Sequence, residues 1–312
     1  MESFSIAFNA VFPFIVYMAA GLFARQVHAA SEETLNALTR LVFRLLLPIL
    51  LFKNLYWASE ADSFNPLFVI TAVAAVLIVM ALSILLVPRF VPGNPRRASI
   101  VQAIYRGNLA LFAIPMGECI FGDASALAAV SIVAFVVPLY NVTATVILER
   151  YRAGSADPLA LLKKIFTNPL IVGILTGFVF RLLKIPMASF VEKPVRALAD
   201  CATPLAMLAL GGTLHIDSLK KNLKAIVSVC GVRMVLLPAV AVLLTMPLPL
   251  SPCERFMIMM LFATPVATSS YPMAMGMGAD GPLAGELVMA SNVFSMPVLF
   301  VYIFLMSRLG VF

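Results

Sequence analysis

Apolar residues fill long unbroken stretches of this chain, each closed by charged residues, prolines or small polar turns. Stretches long enough to cross a ~30 Å hydrocarbon layer at ~1.5 Å per residue can be marked off in order. They cover 5–25, 34–57, 66–88, 97–121 and 124–149, then 162–184, 188–213, 222–246, 253–278 and 284–308. The pattern predicts ten membrane-spanning helices. Their connections are short, with Asn65-Pro66, Val91-Pro92-Gly93-Asn94-Pro95, Ala153-Gly154-Ser155 and Pro247-Leu248-Pro249 as the clearest breakers. The runs lack the apolar–polar alternation of an outer-membrane barrel.

The chain also resembles itself. Pro13, Ile15, Val16, Gly21 and Arg25 recur as Pro169, Ile171, Val172, Gly177 and Arg181, all 156 positions on, and the same offset carries Arg40 and Pro48 onto Arg196 and Pro204. With one further residue Pro115 and Asp123 fall on Pro272 and Asp280; with three, Phe135 and Pro138 fall on Phe294 and Pro297. The expected organisation is a first five-helix repeat over 1–152, a short cytoplasmic linker at 153–161 and a second repeat over 162–312. Five is odd, so the second repeat enters the membrane from the opposite side. Inverted repeats of this kind accompany alternating access in secondary transporters.

Spans four and nine are expected to be broken. The fourth holds Arg106-Gly107-Asn108 and Pro115, and the ninth runs Thr264-Pro265-Val266-Ala267-Thr268-Ser269-Ser270-Tyr271-Pro272. Each proline removes a backbone donor and frees a carbonyl about one turn earlier. In lipid such groups must find partners, so broken helices survive only inside protein or beside a watery cavity. Amides at a half-helix start suit a carboxylate, and freed carbonyls suit a cation or a proton donor. Asn108, Thr264, Thr268, Ser269, Ser270 and Tyr271 add hydrogen-bonding side chains at that depth, either as a binding site or as caps of the broken turns. Arg106 offers a fork-shaped donor to an anion, or else pairs with an acid or snorkels to the membrane edge. Asn141 and Asn292, in spans five and ten, line the site or tie helices together. Arg44 and Asp200, again 156 apart, are candidates for a salt bridge between the halves, and Arg233 in span eight has no assigned role.

Composition agrees with the pattern. Hydrophobic residues make up 62% and charged residues 12% of the 312 positions, with a mean hydropathy of +1.02. A soluble domain has about 45–50% and about 25%, so a cytosolic enzyme and a secreted disulfide scaffold are excluded. The net charge of +7 reads as topology signals rather than nucleic-acid binding, because Lys and Arg sit at segment ends. Arg25, Arg89, Arg96, Arg97, Arg150, Arg152, Lys163, Lys164, Lys220, Lys221 and Lys224 gather on one side, against Lys53, Arg181, Lys184, Lys193, Arg255 and Arg308 on the other. That bias places both termini outside the cytoplasmic membrane. The first segment has no basic leader or Ala-x-Ala site, and is expected to be a retained helix. Cys119, Cys201, Cys230 and Cys253 show no paired spacing and are expected to be small buried hydrophobes. His28 and His215 lie at loop edges, neither a zinc nor a nucleotide motif is present, and no cofactor is expected. Gly173/Gly177 and Gly281/Gly285 are expected to be packing contacts.

At this point the residues resemble a known family. The Arg106-Gly107-Asn108 to Ile114-Pro115 stretch, Pro204-Leu205-Ala206 to Leu210-Gly211-Gly212 and the Pro265 to Pro272 segment are together similar to a bacterial auxin efflux carrier family member, with malate or malonate permeases among its kind. The resemblance implies a sodium/proton-antiporter-like fold. Helices one, two, six and seven would form the scaffold, and three to five with eight to ten the transport domain, broken helices four and nine crossing at their prolines. It implies a carrier, not an enzyme, for a small organic anion, coupled to protons or sodium or to neither, working as a homodimer in the lipid bilayer. Ala110 and Ala113 stand where the family often has glycine, and the 151–161 loop is far shorter than in plant relatives. A transporter-like sensor remains the alternative. An intramembrane enzyme would need a catalytic pair, and only Asp200 sits deep.

Overall fold

The computed structural model describes residues 2–57, 65–153, 166–213, 216–308 and 310. Among them the chain is helical throughout, its sole strand-like pairing being a single bridge between Gly107 and Val266. The helices are α1 (Glu2–Gln26), α2 (Glu32–Leu41), α3 (Leu47–Tyr56), α4 (Pro66–Phe90), α5 (Asn94–Tyr105), α6 (Leu109–Phe121) and α7 (Ala126–Ala153). After the linker come α8 (Pro169–Leu182), α9 (Ser189–Thr213), α10 (Ile216–Cys230), α11 (Leu237–Thr245), α12 (Pro252–Ala263), α13 (Ser270–Gly276) and α14 (Gly281–Arg308). Asn65 and Asn168 each cap a helix that begins with proline, accepting from Leu67 N at 3.1 Å and Leu170 N at 2.9 Å. Ser251 and Glu254 form a reciprocal capping box ahead of Pro252. The breaker Asn65-Pro66 thus acts as a helix start, as do Asn168-Pro169 and Ser251-Pro252, since proline at the first helical position forfeits a donor that had no partner anyway.

Among the described residues, four helical stretches are long and apolar enough to cross a membrane: Glu32–Lys53, Pro66–Phe90, Ser189–Thr213 and Lys220–Thr245. Gly281–Ser295 and Pro297–Met306, bent by 45° at Pro297, make a fifth if they form one span. In Pro66–Phe90 only 22% of the apolar window is buried, and Ile70, Ile78, Leu82 and Leu85 face outward. A helix whose greasy face points away from the protein needs lipid as its solvent.

Two of these stretches contain a turn of π-helix, Val42–Leu46 and Gly231–Leu236. Each is followed by a Leu-Pro pair, Leu47-Pro48 and Leu237-Pro238, and the leucine amide reaches back five residues, to Val42 O and Val232 O. The widened turn lies where a proline ring would crowd the carbonyl four residues earlier. One such turn carries Arg44, the other Arg233.

α1 packs along α9, and α3 along α8, through glycines that bring backbones together. A Cβ on Gly21 would collide with the Leu208 carbonyl, and one on Gly177 would lie 2.8 Å from the Phe52 carbonyl oxygen. Gly173 meets Pro48 and Gly211 meets Met18 in the same way. Gly281 packs on Met275, and Gly285 on Leu210 and Tyr271. Helices α5, α6, α7, α12, α13 and α14 pack against one another about the Gly107–Val266 bridge.

Some expectations change. Asp200 pairs with Lys53 and not with Arg44, which stays exposed on its π turn; the residue one helical stretch further along is the one whose ammonium reaches the carboxylate. Cys201 is exposed, whereas Cys230 and Cys253 are buried. His215 and the side chains of Cys119 and Pro115 lie outside the described residues.

Candidate functional site

Both breaks are present and they cross. Helix α5 ends at Tyr105 and α6 begins at Leu109; α12 ends at Ala263 and α13 begins at Ser270. Between them the extended strands 106–108 and 264–267 lie antiparallel. Asn108 N donates to Pro265 O at 2.9 Å, and Ala267 N to Arg106 O at 3.3 Å. Each broken helix thereby satisfies groups that the other has freed. Pro265 lies in the second break as expected, but the first break falls at Arg106–Asn108, and α6 runs helical through Pro115. Pro272 likewise sits inside α13. The crossing is therefore set by Gly107 and Val266 and not by a pair of prolines.

Gly107 is required by close approach. A Cβ there would overlap Arg233 Nη2 and Thr264 Oγ1, and would lie 2.9 Å from Leu261 O. Arg233, fully buried, is the residue that sequence reasoning left without a role. Its Nε donates to Thr264 O at 3.1 Å, Nη1 to Ile104 O at 2.8 Å and Ala103 O at 3.3 Å, and Nη2 to Leu261 O at 3.1 Å. One guanidinium thus caps the C-terminal ends of α5 and α12 together. The signal available beforehand was a lone arginine deep in an apolar span, which asks for partners.

Arg106 is buried and neither snorkels nor pairs with a carboxylate among the described residues. Its Nη2 donates to Asn141 Oδ1 at 2.5 Å and Ser269 Oγ at 2.8 Å, and its Nη1 points to the Met273 sulfur at 3.0 Å. All three acceptors are neutral, so the positive charge is held without being cancelled.

Of the seven buried side-chain polar atoms that find no partner among the described residues, five lie at or beside the crossing: Gln102 Oε1, Asn108 Nδ2, Thr264 Oγ1, Ser270 Oγ and Asn292 Oδ1; the other two are Glu149 Oε2 and Arg255 Nε. Leaving one such group unmet costs ~1–3 kcal/mol, so a concentration of them marks a place that answers to something besides stability. Gln102 Nε2 is bound to Ser270 O at 3.1 Å, and Ser291 Oγ accepts from Val266 N at 3.0 Å; neither residue was singled out beforehand. Arg106, Asn108, Asn141, Thr264, Pro265, Ser269 and Ser270 are thus brought together. Asn292 is buried beside Ser291 but donates back to Val288 O at 2.7 Å, and the hydrogen bonds of Arg106 go to Met273, Asn141 and Ser269 instead. Tyr271 turns the other way: its hydroxyl lies 3.0 Å from Thr213 Oγ1 on α9 and 3.4 Å from Thr39 Oγ1 on α2.

An apolar helical protein with two broken helices crossing at buried arginines is a membrane transporter in its architecture. The family model described as membrane transport protein, that of the auxin efflux carriers, matches residues 6–303, and the chain belongs to this family. Its members are transporters and not enzymes. Comparison with curated proteins finds no match.

Proposed function

We propose that the protein is a secondary carrier for a small organic anion, a mono- or dicarboxylate, bound at the crossing of the two broken helices. The observation that carries this reading is Arg106, a buried guanidinium whose acceptors are all neutral. An uncancelled charge in a low-dielectric setting is costly, and an anion arriving beside it relieves the cost. The start of α6 lies two residues on and adds partial positive charge. Asn108 Nδ2 supplies an unmet donor between the two, with Asn141, Thr264, Pro265, Ser269 and Ser270 around the crossing, Asn292 beside it, and Tyr271 and Pro272 following in α13.

The architecture that goes with this reading is ten spans in two inverted five-helix repeats, 1–152 and 162–312. Its support is in the packing: Gly21 against Leu208 and Gly177 against Phe52 are the same contact, since both residues of the pair stand 156 positions from their counterparts. Spans one, two, six and seven then form a scaffold that dimerises in the cytoplasmic membrane, both termini outside. The other six shift as a body to expose the crossing alternately, coupled to protons or sodium or to neither.

The test is uptake into proteoliposomes of malonate or malate against the corresponding diamide, in wild type and Arg106→Gln. The anion should be taken up saturably by wild type and lose most of its advantage over the diamide in the variant. Equal loss for charged and neutral compounds would make Arg106 structural. Binding without flux would favour a sensor.

A further inference from the structure

We infer that Arg233 is a resident cation of the crossing, and that it makes substrate movement independent of sodium. The inference rests on the carrier reading above. In secondary transporters, freed carbonyls and half-helix C-terminal ends at a crossing are where a coupling cation is coordinated. Here two such ends meet, those of α5 and α12, each carrying roughly half a negative elementary charge. Together they ask for about one positive charge, and one guanidinium supplies it. Its fork spans both helices at once, with Ala103 and Ile104 on one side and Leu261 and Thr264 on the other, all at 2.8–3.3 Å. A spherical ion would need the same oxygens turned inward at a common centre. Those oxygens are already engaged, and the absence of a side chain at Gly107 makes the room for Nη2. The π turn Gly231–Leu236 belongs to the same device, since it sets the register at which Arg233 leaves its helix.

The consequence is a division of labour between two buried arginines. Arg233 is consumed by backbone and cannot answer to substrate, whereas Arg106 is held by neutral side chains and can. Arg233 is a positioning residue: it keeps the broken ends in place without touching the anion.

Two measurements test this, one of them independent of transport. Wild-type malonate uptake should be unchanged when sodium is replaced by potassium or N-methylglucamine on both sides; dependence on sodium would overturn the inference. In detergent, Arg233→Ala should melt well below wild type, and millimolar guanidinium or sodium should return several degrees to the variant while leaving wild type unmoved. If no small cation moves the variant, the carbonyls are not a cation site and the inference falls. Should Arg233→Ala not accumulate, Arg233→Lys, which keeps the charge, must accumulate and must gain nothing from sodium; a sodium-stabilised Arg233→Lys would also overturn it. Absence of malonate uptake in every medium, with the melting response intact, would count against the carrier reading and leave Arg233 as the resident cation.

Discussion

Replacing Gly107 with alanine inserts one methyl group at the point where the two broken helices touch. The new carbon would overlap Arg233 Nη2 and Thr264 Oγ1, and would lie 2.9 Å from Leu261 O. None of these is the loose end of a surface side chain: Nη2 is held by Leu261 O, and the Leu261 carbonyl also accepts from Tyr140 at 3.3 Å. Overpacking a tight site costs ~1–3 kcal/mol. Displacing the guanidinium from one carbonyl adds ~1.5–3 kcal/mol for a charged hydrogen bond. The expected loss is therefore about 3–5 kcal/mol, which at ~2–4 °C per kcal/mol lowers the melting temperature by on the order of 10 °C. Gly231→Ala is the matched control, because a Cβ there meets nothing within 4 Å and the site lies next to the same arginine. It should melt within a degree or two of wild type. Thermal unfolding of the purified protein in one detergent compares them directly. Equal melting of Gly107→Ala and wild type would mean the helices do not cross as closely as described.

Asn108→Ala and Ser270→Ala each delete an atom that has no partner, so stability should stay level while malonate affinity falls by ~2–10-fold, the worth of one hydrogen bond; unchanged affinity in both would remove the binding role. Tyr271→Phe should cost only ~1 kcal/mol in unfolding, yet it deletes a link from α13 to α2 and α9, and should change turnover by about fivefold if those helices slide past each other. An unaltered turnover would show that the link does not break during transport. Asp200→Asn should cost less than ~1 kcal/mol in detergent, since the Asp200 carboxylate is largely open to solvent; a larger fall would mean that face is covered.

Most helix positions were legible in the sequence because they are written as apolar runs closed by breakers, as at Asn65-Pro66; the start of α8 at Pro169 was not, since the apolar run expected over 162–184 passes through Asn168-Pro169. That spans four and nine would be broken was also legible, from Pro115 in one and Pro265 and Pro272 in the other. The exact place of the first break was not. Pro115 is the stronger local breaker, but α6 absorbs it, and the backbone opens where Pro265, Ala267 and Arg233 supply partners from elsewhere in the chain. No local pattern carries that information. The same holds for Arg233 itself, whose position was visible but whose four carbonyls lie about 30 and 130 residues away. Lys53 and not Arg44 is the partner of Asp200 because the two stand nine residues, ~13 Å, apart along the same helical stretch, and spacing in the sequence alone favoured the wrong one.

The way the two broken helices share their backbone hydrogen bonds also bears on how the chain is made. When the ribosome has delivered residues through α7, the carbonyls of Ala103 and Ile104 and the amide of Asn108 have already entered the membrane, but Arg233 and Pro265 have not yet been synthesised. The interval from Ile104 to Arg233 is about 130 residues, or roughly 6–26 s at ~5–20 residues per second. Throughout it the first half carries open polar groups in a solvent that offers none in return. The first half must therefore wait, shielded by the insertion machinery or by water drawn into the gap, and it becomes a finished membrane protein only when the second half arrives.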